Sequence, residues 1–254
     1  MKICGIGNAT VDIQFQADDS YLEDQGFTPG IATYIDLEQA LAIESSLSPT
    51  SVMAGGAAAN SLCGLAKLGA ECHFIGKRAD DEMGAQVVDD FKGLVTFKTQ
   101  YTKNTYGTGR CLTFTTEDGE RSFSPYFGAN HDLSIADMDA DLLGSCDMVL
   151  LEGYPLQGDI GPETMKKTAR LLHELGVKTV FNPSDAGLIQ KHRDTVEFIL
   201  EHTDILICNM DEVKALTGMQ NPNQAAAHLS GRFETGALTM SGDGCLAFDK
   251  GMLI

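Results

Sequence analysis

Apolar positions along this chain follow two alternating periods. Continuous apolar runs of strand length recur between segments whose apolar residues repeat every three or four positions, the spacing of a helix with one buried face. Residues 2–7 read as a buried strand ending in glycine, and residues 71–76 as another. From residue 147 the alternation is regular. Strand 148–151 precedes helix 162–175, which stops at Gly176, and strand 177–181 follows. Strand 204–208 leads into helix 211–217 with Gly218 behind it, then a helix near 223–229 and strand 237–240. Such a succession predicts an α/β fold, a parallel sheet covered by helices on both faces. Turn residues at 241–244 and 249–251 bound a hairpin strand, 245–248, whose partner has barely begun at Ile254.

Two stretches break this rhythm. Residues 14–35 are polar and rich in turn formers, and residues 96–127 alternate β-formers with polar residues around Asp118-Gly119. Both predict strands half exposed to solvent. Residues 80–91 predict a helix opened by Asp80, Asp81 and Glu82, acids that suit a helix N-terminus and need no further role.

The stretch 54–69 organises the rest. Gly55 and Gly56 permit a turn that few side chains tolerate, and the small residues after them open a helix with Asn60 in its first turn. Leu62, Leu65 and Ala66 would face a core, and Gly69 would close the helix in the left-handed conformation. Free N–H groups and the Asn60 amide suit a polyhydroxylated ligand or a phosphate, though the same glycines also serve a plain strand-to-helix turn.

Composition narrows the class. A chain of 254 residues with 43% hydrophobic and 21% charged residues is that of a globular protein, one large domain with an appendage, and no apolar run is long enough to span a bilayer. The N-terminus does not resemble a signal peptide, and seven cysteines without a Cys-x-x-Cys pair fit reduced thiols in a cytoplasm. A formal charge of −18 argues against nucleic acid as a partner. Residues 5–10, Gly-Ile-Gly-Asn-Ala-Thr, invite a dinucleotide-binding reading. Thr10 stands where the third glycine should be, and Asp18 and Asp19 fall in a polar run rather than after a second buried strand, so that reading is set aside.

Polar groups collect at predicted strand ends: Asp12, Asn60 beside its two glycines, Glu152, Asn182, Asn209 with Glu212, and residues 239–242. The ends of parallel strands share one edge, so these residues are expected to converge on a cleft. Asn209 and Glu212 also have the spacing of a helix cap, which by itself explains them.

The order of six motifs resembles the ribokinase-like (PfkB) carbohydrate kinases over essentially the whole chain. These are Gly-Asn-Ala-Thr-Val-Asp-Ile (7–13), Gly-Gly-Ala-Ala-Ala-Asn (55–60), Asp-Asp-Glu-Met-Gly (80–84), Gly-Ala-Asn (128–130), Asn-Met-Asp-Glu (209–212) and Thr-Met-Ser-Gly-Asp-Gly (239–244). Residues 26–35 look most like the adenosine-kinase-like sugar kinase branch. The resemblance implies a ribokinase-like core from residues 1–12, 36–95 and 128–254 and a small β-sheet lid from residues 13–35 and 96–127, with room for a homodimer through that lid. It implies ATP, a magnesium ion and transfer of the γ-phosphoryl group to a sugar or nucleoside hydroxyl. By position, Asp12, Gly55, Gly56, Asn60 and Glu152 would hold the substrate. Asn182, Asn209, Thr239, Ser241, Gly242 and Gly244 would border the nucleotide, and Glu212 would hold magnesium through water. Ser241 and Ala57 depart from residues common in the family, which leaves the acceptor open.

The family also carries a Gly-Ala-Gly-Asp element at a helix start, whose amides hold the transferred phosphoryl and whose aspartate takes the hydroxyl proton. None of the 254 residues supplies it. The expectation is therefore a fragment or truncated form of a kinase, inactive or very weak by itself, with apolar sheet surface exposed. A non-catalytic binding protein that keeps the cleft is the alternative.

Overall fold

Residues 1–28, 32–98, 101–103 and 106–253 are described by the computed structural model. Pro29, Gly30 and Ile31 of the 26–35 stretch, Thr99, Gln100, Asn104 and Thr105 of the expected lid, and Ile254 lie outside the described residues. In chain order the elements are β1 (Lys2–Ile6), β2 (Thr10–Gln16), α1 (Asp19–Asp24), α2 (Leu37–Ser46), β3 (Ser51–Gly55), α3 (Ala57–Lys67), β4 (Glu71–Ile75) and α4 (Glu82–Asp90). Then come β5 (Val95–Phe97), β6 (Gly109–Thr115), β7 (Arg121–Tyr126), α5 (Ala140–Gly144), β8 (Met148–Glu152), α6 (Gly161–Leu175), β9 (Lys178–Asn182) and α7 (Ala186–Lys191). The remainder is α8 (Arg193–Leu200), β10 (Ile205–Asn209), α9 (Met210–Thr217), α10 (Pro222–Ser230), β11 (Thr235–Thr239), β12 (Cys245–Asp249) and β13 (Met252–Leu253).

Nine strands form one sheet in the order β13-β12-β11-β10-β9-β8-β1-β4-β5, parallel except for β12 and β13. The second sheet runs β3-β2-β6-β7. One core lies between the large sheet and α5, α6, α8, α9 and α10, where Leu151, Phe181, Leu206 and Leu238 are buried against Leu172, Val196 and Leu229. The other joins Phe74 of the large sheet, Leu62 of α3 and Val87 of α4 to Val11, Phe15 and Phe114 of the small sheet. Side-chain caps set the helix starts: Asp18, Asp36, Asp81, Asp139, Asp185, Asn209 and Asn221 each accept from a backbone N–H at the beginning of the helix they precede. Gly176 and Gly218 close α6 and α9 in the left-handed conformation, as the pattern predicts. Among the described residues no helix is long and apolar enough to cross a membrane.

The layout expected from the sequence is redrawn in three places. Residues 19–24 are helical, because Asp18 accepts from the Tyr21 N–H at 2.8 Å and Leu22 is buried in the second core. Val95–Phe97, expected in part to begin the lid, pairs with β4, and Phe97 packs on Phe74 and Phe91 with ring centroids 5.0 and 5.7 Å apart. Ser51–Gly55, expected within the core, pairs with β2 in the small sheet, where Ala54 N–H donates to Asp90 Oδ2 at 2.7 Å. Alternation around Asp118-Gly119 reads correctly as the β6–β7 hairpin.

Candidate functional site

The site begins where the chain leaves the large sheet for the small one. Beyond β1, Gly7 N–H donates to Ile75 O at 3.1 Å, Asn8 N–H to Glu152 Oε1 at 2.8 Å and Ala9 N–H to Asn130 Oδ1 at 2.8 Å. Asn130 returns the bond, its Nδ2 donating to Ala9 O at 2.9 Å and to Phe127 O at 2.8 Å. The exit is pinned at every step, so β2 enters the small sheet in one register. Asp12 therefore sits within β2, opposite Met53 and Cys111, and not at the carboxyl end of β1 as the sequence suggested. Burial raises its carboxyl pKa, and Arg121 opposes that rise.

The glycine mouth is explained by what surrounds it. A Cβ on Gly55 would overlap the Asp12 carboxylate, and one on Gly7 would overlap the Glu152 carboxylate. Gly56 caps α3 at φ +100 without a side-chain cap, and a Cβ there would collide with Asn8 O. The missing cap comes from another strand: Glu152 Oε2, at the end of β8, accepts from the Ala58 N–H at 2.8 Å. Glu152 is only 1% exposed, and burial pushes its carboxyl up to about 7 against the two amides that favour its charge.

Asp12, Gly56, Asn60 and Glu152 all line one cavity of about 290 Å³ beneath the small sheet. Gly55 is absent from that lining; its part is to leave room for Asp12. Asn8 and Thr10 complete the polar side, and the buried Asn8 Oδ1 has no hydrogen-bond partner among the described residues. Opposite stand Tyr34, Phe123, Pro125, Phe127 and Tyr154, with Asp185 also in the lining. Sequence reasoning missed this wall. Aromatic residues scattered over four loops and strands carry no periodic signal, although Tyr154 and Asp185 both closely follow predicted strands.

The residues expected to border a nucleotide form a second group along the ends of β9 to β11. Asn182 ends β9 and donates to Ile207 O at 3.0 Å; it lines a separate apolar groove of about 700 Å³ rather than the cavity. Asn209 and Thr239 are register partners at the ends of β10 and β11, and Ser241, Gly242 and Gly244 follow in the next turn. Asn209 and Glu212 make the capping box of α9: Glu212 N–H donates to Asn209 Oδ1 at 2.9 Å, while Asn209 N and Nδ2 donate to the two Glu212 oxygens at 3.0 and 2.7 Å. Burial, with the like charges of Asp185 and Asp211, pushes Glu212 up to about 7. Asp185 thus lies near both groups.

A family profile described as pfkB family carbohydrate kinase matches residues 34–254. The chain belongs to that family. Among its PfkB relatives, guanosine-inosine kinase of Escherichia coli K12 is 25% identical over 242 residues, 87% of this chain and 54% of that protein. A 5-dehydro-2-deoxygluconokinase of Clostridium perfringens is 27% identical over 173 residues, 65% of this chain and 51% of that protein. The chain thus spans about half the length of these curated relatives. In three dimensions it is similar to an adenosine kinase from Sinorhizobium meliloti, with a TM-score of 0.90 at 30% identity over 100% of this chain and 78% of the other. A probable sugar kinase protein from Rhizobium etli CFN 42 gives the same TM-score of 0.90 at 28% identity, also over 100% and 78%. The large, mostly parallel sheet with its helices and second small sheet is the adenosine kinase and ribokinase-like fold.

Proposed function

We propose that this chain forms the acceptor-binding part of a cytoplasmic, ATP-dependent kinase that phosphorylates a nucleoside or sugar hydroxyl, with the small sheet as lid over the acceptor. The observation that carries this reading is the convergence of Asp12, Gly56 and Asn60 on one cavity beneath the small sheet. A carboxylate accepts from two neighbouring hydroxyls, and an amide both donates and accepts, so Asp12 and Asn60 suit a polyol. The unpartnered Asn8 Oδ1 adds a third acceptor. Glu152 supports the site through the Asn8 and Ala58 amides, which fixes the two loops that present Asn8 and Asn60. Relatives named for guanosine, inosine and adenosine favour a nucleoside over a simple sugar as acceptor.

The second group fits a magnesium nucleotide. Among the described residues no three His, Cys, Asp or Glu side chains are placed to hold a metal, but magnesium keeps several waters and needs only one or two carboxylates. The charges acting on Glu212, those of Asp185 and Asp211, are both negative, so a cation there relieves repulsion. Bound magnesium would neutralise charge on the nucleotide phosphates. Glu212 would hold it through water, with Asn209 orienting the carboxylate, and Thr239, Ser241, Gly242 and Gly244 would flank the nucleotide.

The test is calorimetric titration of the purified chain with guanosine, adenosine, ribose and fructose, alone and with ATP and magnesium. Binding of at least one acceptor, lost in Asp12→Asn while the circular dichroism stays unchanged, supports the reading. A folded chain that binds none of them overturns it. The 254 residues contain no Gly-Ala-Gly-Asp element, so tested by themselves they should turn over slowly. Losing a general base costs ~10²–10⁴ in rate, and equal turnover by a longer protein carrying the element would contradict this.

A further inference from the structure

Asp185 is held in the cavity by a loop built at some cost. Ser184 precedes it at φ +72, a left-handed conformation that serine seldom adopts. The conformation is locked from both sides: Gly153 N–H donates to Ser184 Oγ at 2.8 Å, and Ser184 Oγ lies 3.2 Å from Asn182 O and 3.1 Å from Asn182 Oδ1. A Cβ on Gly153 would overlap Pro183 O, so the loops after β8 and β9 are pressed together. Their joint effect is to set Tyr154 and Asp185, one from each loop, in the same cavity lining. Strained, over-determined backbone of this kind marks a position whose geometry matters.

The surroundings of Asp185 are aromatic. Tyr34 and Phe127 have ring centroids 5.5 Å apart, and Phe127 and Tyr154 6.4 Å. All three rings line the cavity, and an aromatic lining favours a flat heteroaromatic group over a free pentose, which has no π system. Asp185 Oδ1 accepts the Leu188 N–H at 2.8 Å, and Oδ2 has no hydrogen bond among the described residues. Among the described residues no lysine or arginine lines the cavity.

The geometry points to Asp185 as the group that reads the base of a purine nucleoside, selecting 6-oxopurines, guanosine above all. This rests on the reading of the cavity as an acceptor site for a nucleoside or sugar. A carboxylate only accepts hydrogen bonds. Guanine presents two donors on one edge, N1–H and the exocyclic amine, which match its two oxygens; hypoxanthine presents N1–H alone. Adenine sets its N1 lone pair beside a single donor group, so one carboxylate oxygen would face another acceptor. A bidentate match of this kind discriminates roughly tenfold or more.

Asn and Ser keep the helix-capping ability of Asp185, which separates recognition from folding. The experiment is calorimetric titration of the folded 254-residue chain and its Asp185→Asn and Asp185→Ser variants with guanosine, inosine, adenosine and ribose. Expected is guanosine binding roughly tenfold or more tighter than adenosine, with inosine between and ribose weakest. Asp185→Asn, whose amide donates to adenine N1, should shift the ratio toward adenosine, and Asp185→Ser should erase it. An unchanged guanosine-to-adenosine ratio in both variants would show that Asp185 only caps α7 and overturn the proposal. Ribose binding as tightly as any nucleoside would overturn the base pocket while leaving the kinase reading intact. No binding of any of the four to the folded chain would overturn both.

Discussion

Glu152 should make this protein lose stability between mildly acidic and neutral pH, and Glu152→Gln should remove that loss. Both oxygens of the buried carboxylate accept backbone amides at 2.8 Å, yet burial outweighs them and raises the carboxyl from its ordinary 4.5 to about 7. In the unfolded chain the group releases its proton near the ordinary value, while the native chain retains it until about 7. The native state therefore binds more protons across that window. Its extra stability is fully present below about 4.5 and is lost as pH rises through about 7. At ~1.36 kcal/mol per pKa unit the loss is about 3 kcal/mol, a large part of the stability of an ordinary domain. Glutamine resembles the protonated form, with one acceptor and one donor, and does not titrate. Urea unfolding followed by circular dichroism from pH 4 to 8 gives the comparison. Background titration is shared, so the stability of the native chain minus that of Glu152→Gln should fall by about 3 kcal/mol across the range. A constant difference would mean that the two amides keep Glu152 ionised throughout and that burial does not dominate.

Gly55→Ala should cost ~1–3 kcal/mol by overpacking and at least tenfold in acceptor affinity, because the new methyl group displaces the Asp12 carboxylate; titration calorimetry beside a urea melt separates the two effects. Asn209→Ala removes the α9 cap and should cost ~1 kcal/mol in urea unfolding, with a greater loss of magnesium-dependent ATP binding than of acceptor binding. Ile207, 36% exposed in the apolar groove beside α3, should contribute to binding of an apolar fluorescent dye, and Ile207→Lys should reduce the fluorescence by half or more without changing the dichroism.

Local rules made the large sheet legible. Its strands are continuous apolar runs, α5, α7, α9 and α10 carry side-chain caps, and α6 and α9 end in left-handed glycines, all signals that lie within a few residues of one another. The small sheet was only half legible. β6 and β7 announce themselves through Asp118-Gly119, whereas Ser51–Gly55 has two outward apolar residues, Val52 and Met53, and no alternation to reveal it as a strand. Residues 19–24 show the opposite failure, since a polar, turn-rich run read as half-exposed strand is a short helix that Asp18 caps and Leu22 anchors in the core. At the site, motif spacing singled out Asp12, Gly56 and Asn60, which line one cavity. The aromatic wall escaped because its members meet only through the tertiary fold. Asn182 ends β9 as its place in the pattern predicts, and its side-chain amide bonds Ile207 O of β10 and lines the groove, a setting that only the tertiary fold reveals.

Glu152 and Glu212 repeat one device at the strand ends. Each is a buried glutamate raised to about 7, and each accepts amide N–H groups at or beside the start of a helix: Glu152 from the Asn8 and Ala58 backbone, the latter in α3, and Glu212 from the backbone and side chain of Asn209 before α9. Helix N-termini carry partial positive charge, which offsets part of the cost of burying a carboxylate. The return is rigidity, because the loops after β1, β8 and β10 are fixed by bonds that do not depend on a ligand. The same device gathers carboxyl groups at this edge, in a chain of net charge −18 whose cavity lining holds no lysine or arginine among the described residues. A polyphosphate approaching it meets repulsion from Asp211 and from Glu212 as that group ionises near 7. A divalent cation placed between the two would offset that repulsion, which links the acids of the strand ends to the magnesium nucleotide of the proposed reaction.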